Sequence, residues 1–220
     1  MFSLKFNINL KTRFIMKIKN LHYFSGVTIT LFIGLHLFNH LCSIQGINQH
    51  IEVMSIFRSF YRNTIVESLL LLAVIIQIVS GLNLAFTKRK VSVSKFEKLQ
   101  IWSGLYLAFF LIIHVSAVLT GRFCLHLDTN FYFGAAGINT YPFNLFFIPY
   151  YSLAILSFFG HIAAIHYKKM QNNLLGLSPS KQSKGILGIG ILITLMIFYG
   201  FTNHFKGVQI PEEYNVLIGK

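Results

Sequence analysis

The chain has 220 residues, is 54% hydrophobic and 15% aromatic, carries charge on only 11% of its positions, and has a formal net charge of +13. An ordinary soluble domain has about a quarter of its residues charged, so this composition excludes one. The excess of Lys and Arg does not imply a nucleic-acid partner, because the cations sit in short clusters between long apolar runs instead of covering one face of a domain.

The first 20 residues lack the apolar core and small-residue cleavage site of a signal peptide. Residues 1–21 are expected to form a basic cytoplasmic arm on anionic lipid, with Met16 as an alternative start. Five later stretches reach the roughly 20 residues that a helix needs to cross a bilayer: 22–43, 65–87, 101–121, 145–167 and 186–205. In lipid every backbone polar group must be satisfied internally, so these runs are predicted to be helices. The fold class is therefore an all-α integral membrane protein, a five-helix bundle over 22–205 followed by an outer tail over 206–220.

Orientation follows from the basic residues. Lys5, Lys11, Arg13, Lys17 and Lys19 precede the first span. Lys88, Arg89, Lys90, Lys95 and Lys98 lie between the second and third, and Lys168, Lys169, Lys181 and Lys184 between the fourth and fifth. The other side holds Arg58, Arg62, Arg122, Lys206 and Lys220. Every loop points the same way, to an N-terminus inside and a C-terminus outside. The expected location is a bacterial inner membrane, with the lipid bilayer itself as the first partner.

Between the first two spans, Met54, Phe57 and Tyr61 recur at helical spacing beside Arg58 and Arg62, which predicts a short helix lying at the outer interface. The loop from Arg122 to Asn144 is aromatic and glycine-rich and is expected to fold back over the outer end of the bundle. Cys42 and Cys124 both fall on the outer side, where an oxidising compartment allows a disulfide; two unpaired small apolar side chains are the equal alternative.

An internal repeat organises the first and third spans. Residues 24–36 read FSGVTITLFIGLH and residues 102–114 read WSGLYLAFFLIIH. Ser-Gly aligns with Ser-Gly, Phe32 with Phe110 and His36 with His114, without a gap. Both helices run outward, and ten residues of helix rise about 15 Å, so the two histidines are expected at one depth in the outer half of the membrane. A histidine inside a span marks function by default, although a single one more often serves as an interhelical hydrogen bond. A matched pair suits two axial ligands of one haem, a flat apolar disc held from both sides. Gly26, Gly34, Ser103 and Gly104 are read as leaving room for it. His40, one turn beyond His36, is a substitute ligand. His161 lies in the inner half of the fourth span, with Gln77 at a comparable level in the second. His50 and His126 are expected in outer loops, exposed to solvent. No HExxH, P-loop or GxGxxG pattern is present.

The stretches ending at His36 and His114, together with FFGHIAAIHYKKMQNNLLGL around His161, resemble the cytochrome b membrane-anchor subunit of succinate dehydrogenase and fumarate reductase in its single-polypeptide, five-helix form. The resemblance covers about residues 22–177. It implies haem b ligated in pairs, one pair from the first and third helices and one from the second and fourth. VIIQIVSGLNLAFTKRK matches the second helix in layout but has Gln77 where the family places a histidine. Glutamine ligates haem poorly, so one haem is implied at His36 and His114. His161 is left to hold a five-coordinate haem, bind quinone, or bond to Gln77 across the bundle.

The resemblance further implies a quinone site near the outer haem with an acidic residue close by. Glu67 and Glu52 are the candidates, and Glu67 has the alternative of a favourable charge at a helix N-terminus. It also implies flavoprotein and iron–sulfur subunits docking on the cytoplasmic loops 88–100 and 168–185. The expected function is a haem b-containing, quinone-linked electron-transfer anchor, either non-catalytic itself or the quinone-reacting subunit of an oxidoreductase. A stand-alone one-haem cytochrome and a haem-free scaffold or assembly protein are the alternatives.

Overall fold

The structure is a computed structural model that describes residues 2–88 and 94–220; for residues 2–15 and Lys88 it describes the backbone alone. Arg89 and Lys90 of the expected docking loop lie outside the described residues. Seven α-helices follow one another: α1 (Phe2–Cys42), α2 (Ile47–Tyr61), α3 (Thr64–Lys88), α4 (Lys95–Phe123), α5 (Phe131–Asn139), α6 (Asn144–Lys169) and α7 (Pro179–Phe201). Short 3-10 turns at Ser43–Gln45 and Glu212–Ile218 complete the order, and there is no strand among the described residues.

Five of these helices are long and apolar enough to cross a membrane: Met16–Gln45, Thr64–Thr87, Lys95–Phe123, Asn144–Lys169 and Pro179–Phe201. They close into a ring in which α1 packs on α3, α3 on α4, α4 on α6, α6 on α7 and α7 back on α1. Their outward faces keep large apolar side chains uncovered, among them Leu31, Ile75, Trp102 and Leu195. Such exposed apolar faces are consistent with contact with a lipid bilayer.

Local chemistry sets the helix ends. Ser94 and Glu97 form a reciprocal capping box that starts α4, satisfying two of the backbone N–H groups that a helix start leaves open. Pro179 occupies the first turn of α7, where its missing N–H costs nothing. Asn130 caps α5 by accepting a hydrogen bond from the Tyr132 N–H at 2.9 Å.

Two segments are placed by packing. The stretch after α4 folds back as expected, and its α5 buries Phe131, Ala135 and Ala136 completely. The tail then covers α5, with the Tyr214 hydroxyl 2.9 Å from both the Asp128 carbonyl and Asn130 Oδ1. Burial pushes that phenol up to about 12. The second segment departs from expectation. α2 does not lie flat: His50 meets His40, Phe57 meets Phe38 and Tyr61 meets Phe32. These partners span eight residues of α1, about 12 Å along its axis, so α2 doubles back along the C-terminal part of α1.

Candidate functional site

Because α1 and α4 are not neighbours in the ring, they face each other across its interior. The aligned repeat projects into that gap. On α1, Phe32 stacks on His36 with ring centroids 5.9 Å apart and planes at 20°. On α4, Phe110 stacks on His114 at 4.9 Å and 13°. The spacing of four residues puts ring over ring on one helix face, so equal sequences build equal stacks. The two imidazoles meet with centroids 6.1 Å apart.

This separation is chemically informative. With a metal–nitrogen bond of about 2 Å on each side and roughly 1 Å from ring nitrogen to centroid, two axial imidazoles stand with centroids roughly 6–6.5 Å apart. Between and beside the rings runs a cavity of about 310 Å³, lined mainly by apolar side chains including Leu70, Val74, Leu107, Leu111, Tyr151 and Phe158. Its size falls at the lower end of small-molecule sites. Among the described residues no three His, Cys, Asp or Glu side chains gather into a set suited to a metal ion. A metal between His36 and His114 would therefore bring its other ligands with it, as haem iron does. The residues present fit such a group.

Behind His36 stands a chain of imidazoles. His36 Nε2 lies 3.0 Å from His40 Nε2, and His40 Nδ1 lies 3.1 Å from His50 Nε2. Asn39 Nδ2 is 3.2 Å from the same His50 nitrogen. His50, expected in solvent, is instead 1% exposed, set between Phe131 and Phe201. Burial pushes its imidazole down to about 4, so it is neutral at physiological pH. Its burial follows from the folding back of α5 and α2, which nothing local to residue 50 announces. Ligation through His36 Nε2 would displace its bond to His40, which keeps a partner in His50.

The end of the cavity nearer α2 and α5, the outer end under the orientation expected from the sequence, is charged. Glu67, at the start of α3, pairs with Arg122 at the end of α4. Arg58 on α2 pairs with Asp128 at 2.6 Å, and Arg62 donates to the Thr129 hydroxyl at 2.8 Å. Glu67 and the three arginines all line the cavity. Glu52 is on an exposed position of α2 and takes no part in that lining. Cys42 and Cys124 are both free thiols.

The opposite half of the bundle, the inner half under the expected orientation, is built differently. Ser25 donates to Gln77 Oε1 at 2.7 Å, and Gln77 Nε2 is 3.4 Å from His22 Nε2. His22 Nδ1 is 2.9 Å from the Ser80 hydroxyl. His161 Nδ1 is 3.0 Å from the Gln100 carbonyl and 3.3 Å from the Ser103 hydroxyl. A Cβ on Gly26 would come 3.4 Å from the Gln77 amide, one on Gly81 3.2 Å from the His22 ring, and one on Gly104 3.1 Å from the His161 ring. Each Ser-Gly is thus a socket for a polar side chain of the neighbouring helix. This corrects the expectation that Gly26, Ser103 and Gly104 make room beside His36 and His114; neither they nor Gly34 line the outer cavity.

Comparison of the chain with protein-family models, with curated proteins and with solved structures finds no match.

Proposed function

We propose that this protein is a multi-pass membrane cytochrome b that holds one haem b between His36 and His114 and exchanges electrons with quinone as the membrane anchor of a larger oxidoreductase. The observation that carries this reading is the His36–His114 pair, 6.1 Å apart across an apolar cavity, with each ring fixed by a phenylalanine four residues earlier. Haem bound there supplies reversible one-electron transfer. The chain's own part is to hold two imidazoles at one level, exclude water with Leu, Val and Phe walls, and close the outer end with α2 and α5.

Glu67 supports a quinone role in one respect: it lines the same cavity. It pairs with Arg122, and its carboxyl oxygens are of the type that can accept a hydrogen bond from a quinol hydroxyl. Glu52, exposed on α2 and absent from the cavity lining, is not included in this proposal. The positive-inside distribution supports an N-terminus in the cytoplasm, a C-terminus outside and residence in a bacterial inner membrane. Under that orientation flavoprotein and iron–sulfur partners would dock on the basic inner loops.

The direct test is an absorption spectrum of protein purified from haem-replete cells. A low-spin b spectrum with one haem per chain is expected, and a colourless folded protein overturns the proposal. Reporters read orientation: a fusion after Lys220 is expected to be active only with an outside reporter, and one at Lys90 only with an inside reporter. Co-purification of flavin and iron–sulfur subunits separates an anchor from a stand-alone cytochrome. A haem-free scaffold is the second reading. It draws on the His36–His40 bond, which satisfies the ring without a ligand.

A further inference from the structure

The outer mouth of the cavity has a charge imbalance that the fold alone does not need. Arg58, Arg62 and Arg122 come together there, against two carboxylates, Glu67 and Asp128. Arg122 is matched by Glu67 and Arg58 by Asp128. Arg62 makes no ion pair among the described residues; its partner is a hydroxyl, Thr129. Burial and the neighbouring Arg58 and Arg122 together push the Arg62 guanidinium below its ordinary range, which means its charge is held at a cost. A second observation points the same way. Arg58 Nε is a buried donor with no hydrogen-bond partner, and a buried unmet donor is costly unless something else satisfies it.

Position gives the imbalance a direction. The Arg58 and Arg62 guanidinium groups reach Asp128 and Thr129, in the stretch that follows α4. Arg122 stands eight residues beyond His114 on α4, about 12 Å along the helix. The cations therefore lie on one side of the imidazole pair, the outer side. A porphyrin between two axial imidazoles has its plane edge-on to that side, and haem b carries its two carboxylate arms on a single edge.

We propose that Arg62, with Arg58 and Arg122, forms a carboxylate-binding subsite that takes the two acid arms of the cofactor and so fixes it in one orientation, acid edge outward. This inference rests on the reading of His36 and His114 as haem ligands. Guanidinium suits the task because its planar fork matches a carboxylate with two parallel hydrogen bonds.

The test uses full-length apoprotein in detergent from haem-deficient cells, titrated with haem b or with its dimethyl ester, which keeps the iron and porphyrin but lacks the acid groups. Wild type is expected to bind the free acid roughly ten- to a hundredfold more tightly than the ester, the scale of a hydrogen bond to a charged group. Arg62→Gln is expected to lose most of that preference while keeping the low-spin spectrum, and Arg62→Lys to retain part of it. Lys206→Gln, an exposed cation on the same side of the chain, is expected to change nothing. Equal affinity of wild type for acid and ester overturns the subsite and leaves the histidine reading intact. Binding of neither compound overturns both. If anionic lipid raises thermal stability through Arg62 while acid and ester bind alike, the site belongs to a headgroup and the proposal fails. Should Arg62→Gln fail to fold, the wild-type comparison still decides.

Discussion

The outer and inner halves of the bundle use the same residue types for opposite ends. In the outer half, the His36 and His114 rings meet with centroids 6.1 Å apart, and both line one apolar cavity. In the inner half, Gln77, His22 and His161 are drawn into Ser-Gly sockets on adjacent helices, and their polar atoms are bonded within 3.4 Å. The difference teaches what separates a cofactor site from polar glue in a membrane. Imidazole alone does not. A ring that projects between non-neighbouring helices has room for a ligand, while a ring that lies in a groove between neighbours contributes only an interhelical hydrogen bond of about 1 kcal/mol.

The strongest way to break this comparison is to truncate one histidine in each half. His114→Ala is expected to abolish the low-spin haem spectrum, since an iron left with one axial imidazole is five-coordinate and high-spin, and to weaken retention of the haem. His161→Ala is expected to leave the haem spectrum unchanged. Absorption spectra of the two purified variants check this, and loss of haem in His161→Ala would collapse the distinction.

A second expectation concerns the frame around the outer half. Gly200 of α7 lies against the turn that follows α1; a Cβ there would stand 2.9 Å from the Ile44 amide nitrogen and from the Ser43 carbonyl carbon. Backbone cannot yield as a side chain does, so Gly200→Ala should destabilise the protein by about 1–3 kcal/mol, the usual cost of overpacking. Gly104→Ala in the inner half meets only the His161 ring, at 3.1 Å, which rotates away at a cost of about 1 kcal/mol for the lost bond. Denaturant titration of both variants in detergent orders them, and a larger loss for Gly104→Ala would mean that the inner sockets carry more of the fold than the outer frame.

The five spans were readable because hydrophobic runs of that length have one solution in lipid, and the matched depth of His36 and His114 because two helices of equal rise obey one arithmetic. What the sequence hid came from contacts between distant segments. His50 reads as a loop residue until α5 and α2 fold over it. The Ser-Gly pairs read as space beside His36 and His114, but ten residues of rise had already separated them from that level, and they serve the inner half instead. The convergence of Arg58, Arg62 and Arg122 depends on α2 doubling back, and an interfacial helix and a re-entrant one have the same amphipathic pattern.

The smallest expected effect is the most discriminating. Gln77 occupies the place that a second haem ligand would need, so Gln77→His asks whether the inner half is a disused cofactor site or a packed one. The Gln77 amide is fixed on both sides, with Ser25 donating to its oxygen at 2.7 Å and His22 at 3.4 Å from its nitrogen, and the Gly26 socket is matched to its width. His161, the other ligand of such a site, is held on α4 by Ser103 and the Gln100 carbonyl. To meet across a porphyrin, each side chain would have to leave a groove between neighbouring helices and open a space that the surrounding side chains would lose contacts to create. An imidazole is close in size to the glutamine amide and, like it, offers an acceptor for the Ser25 hydroxyl. Gln77→His is therefore expected to leave the haem stoichiometry unchanged and to shift stability by less than about 1 kcal/mol. Pyridine haemochrome quantification against protein concentration checks it: two haems per chain would show that the inner half opens on demand, and that the contrast between the halves lies in one side chain and not in the helix packing.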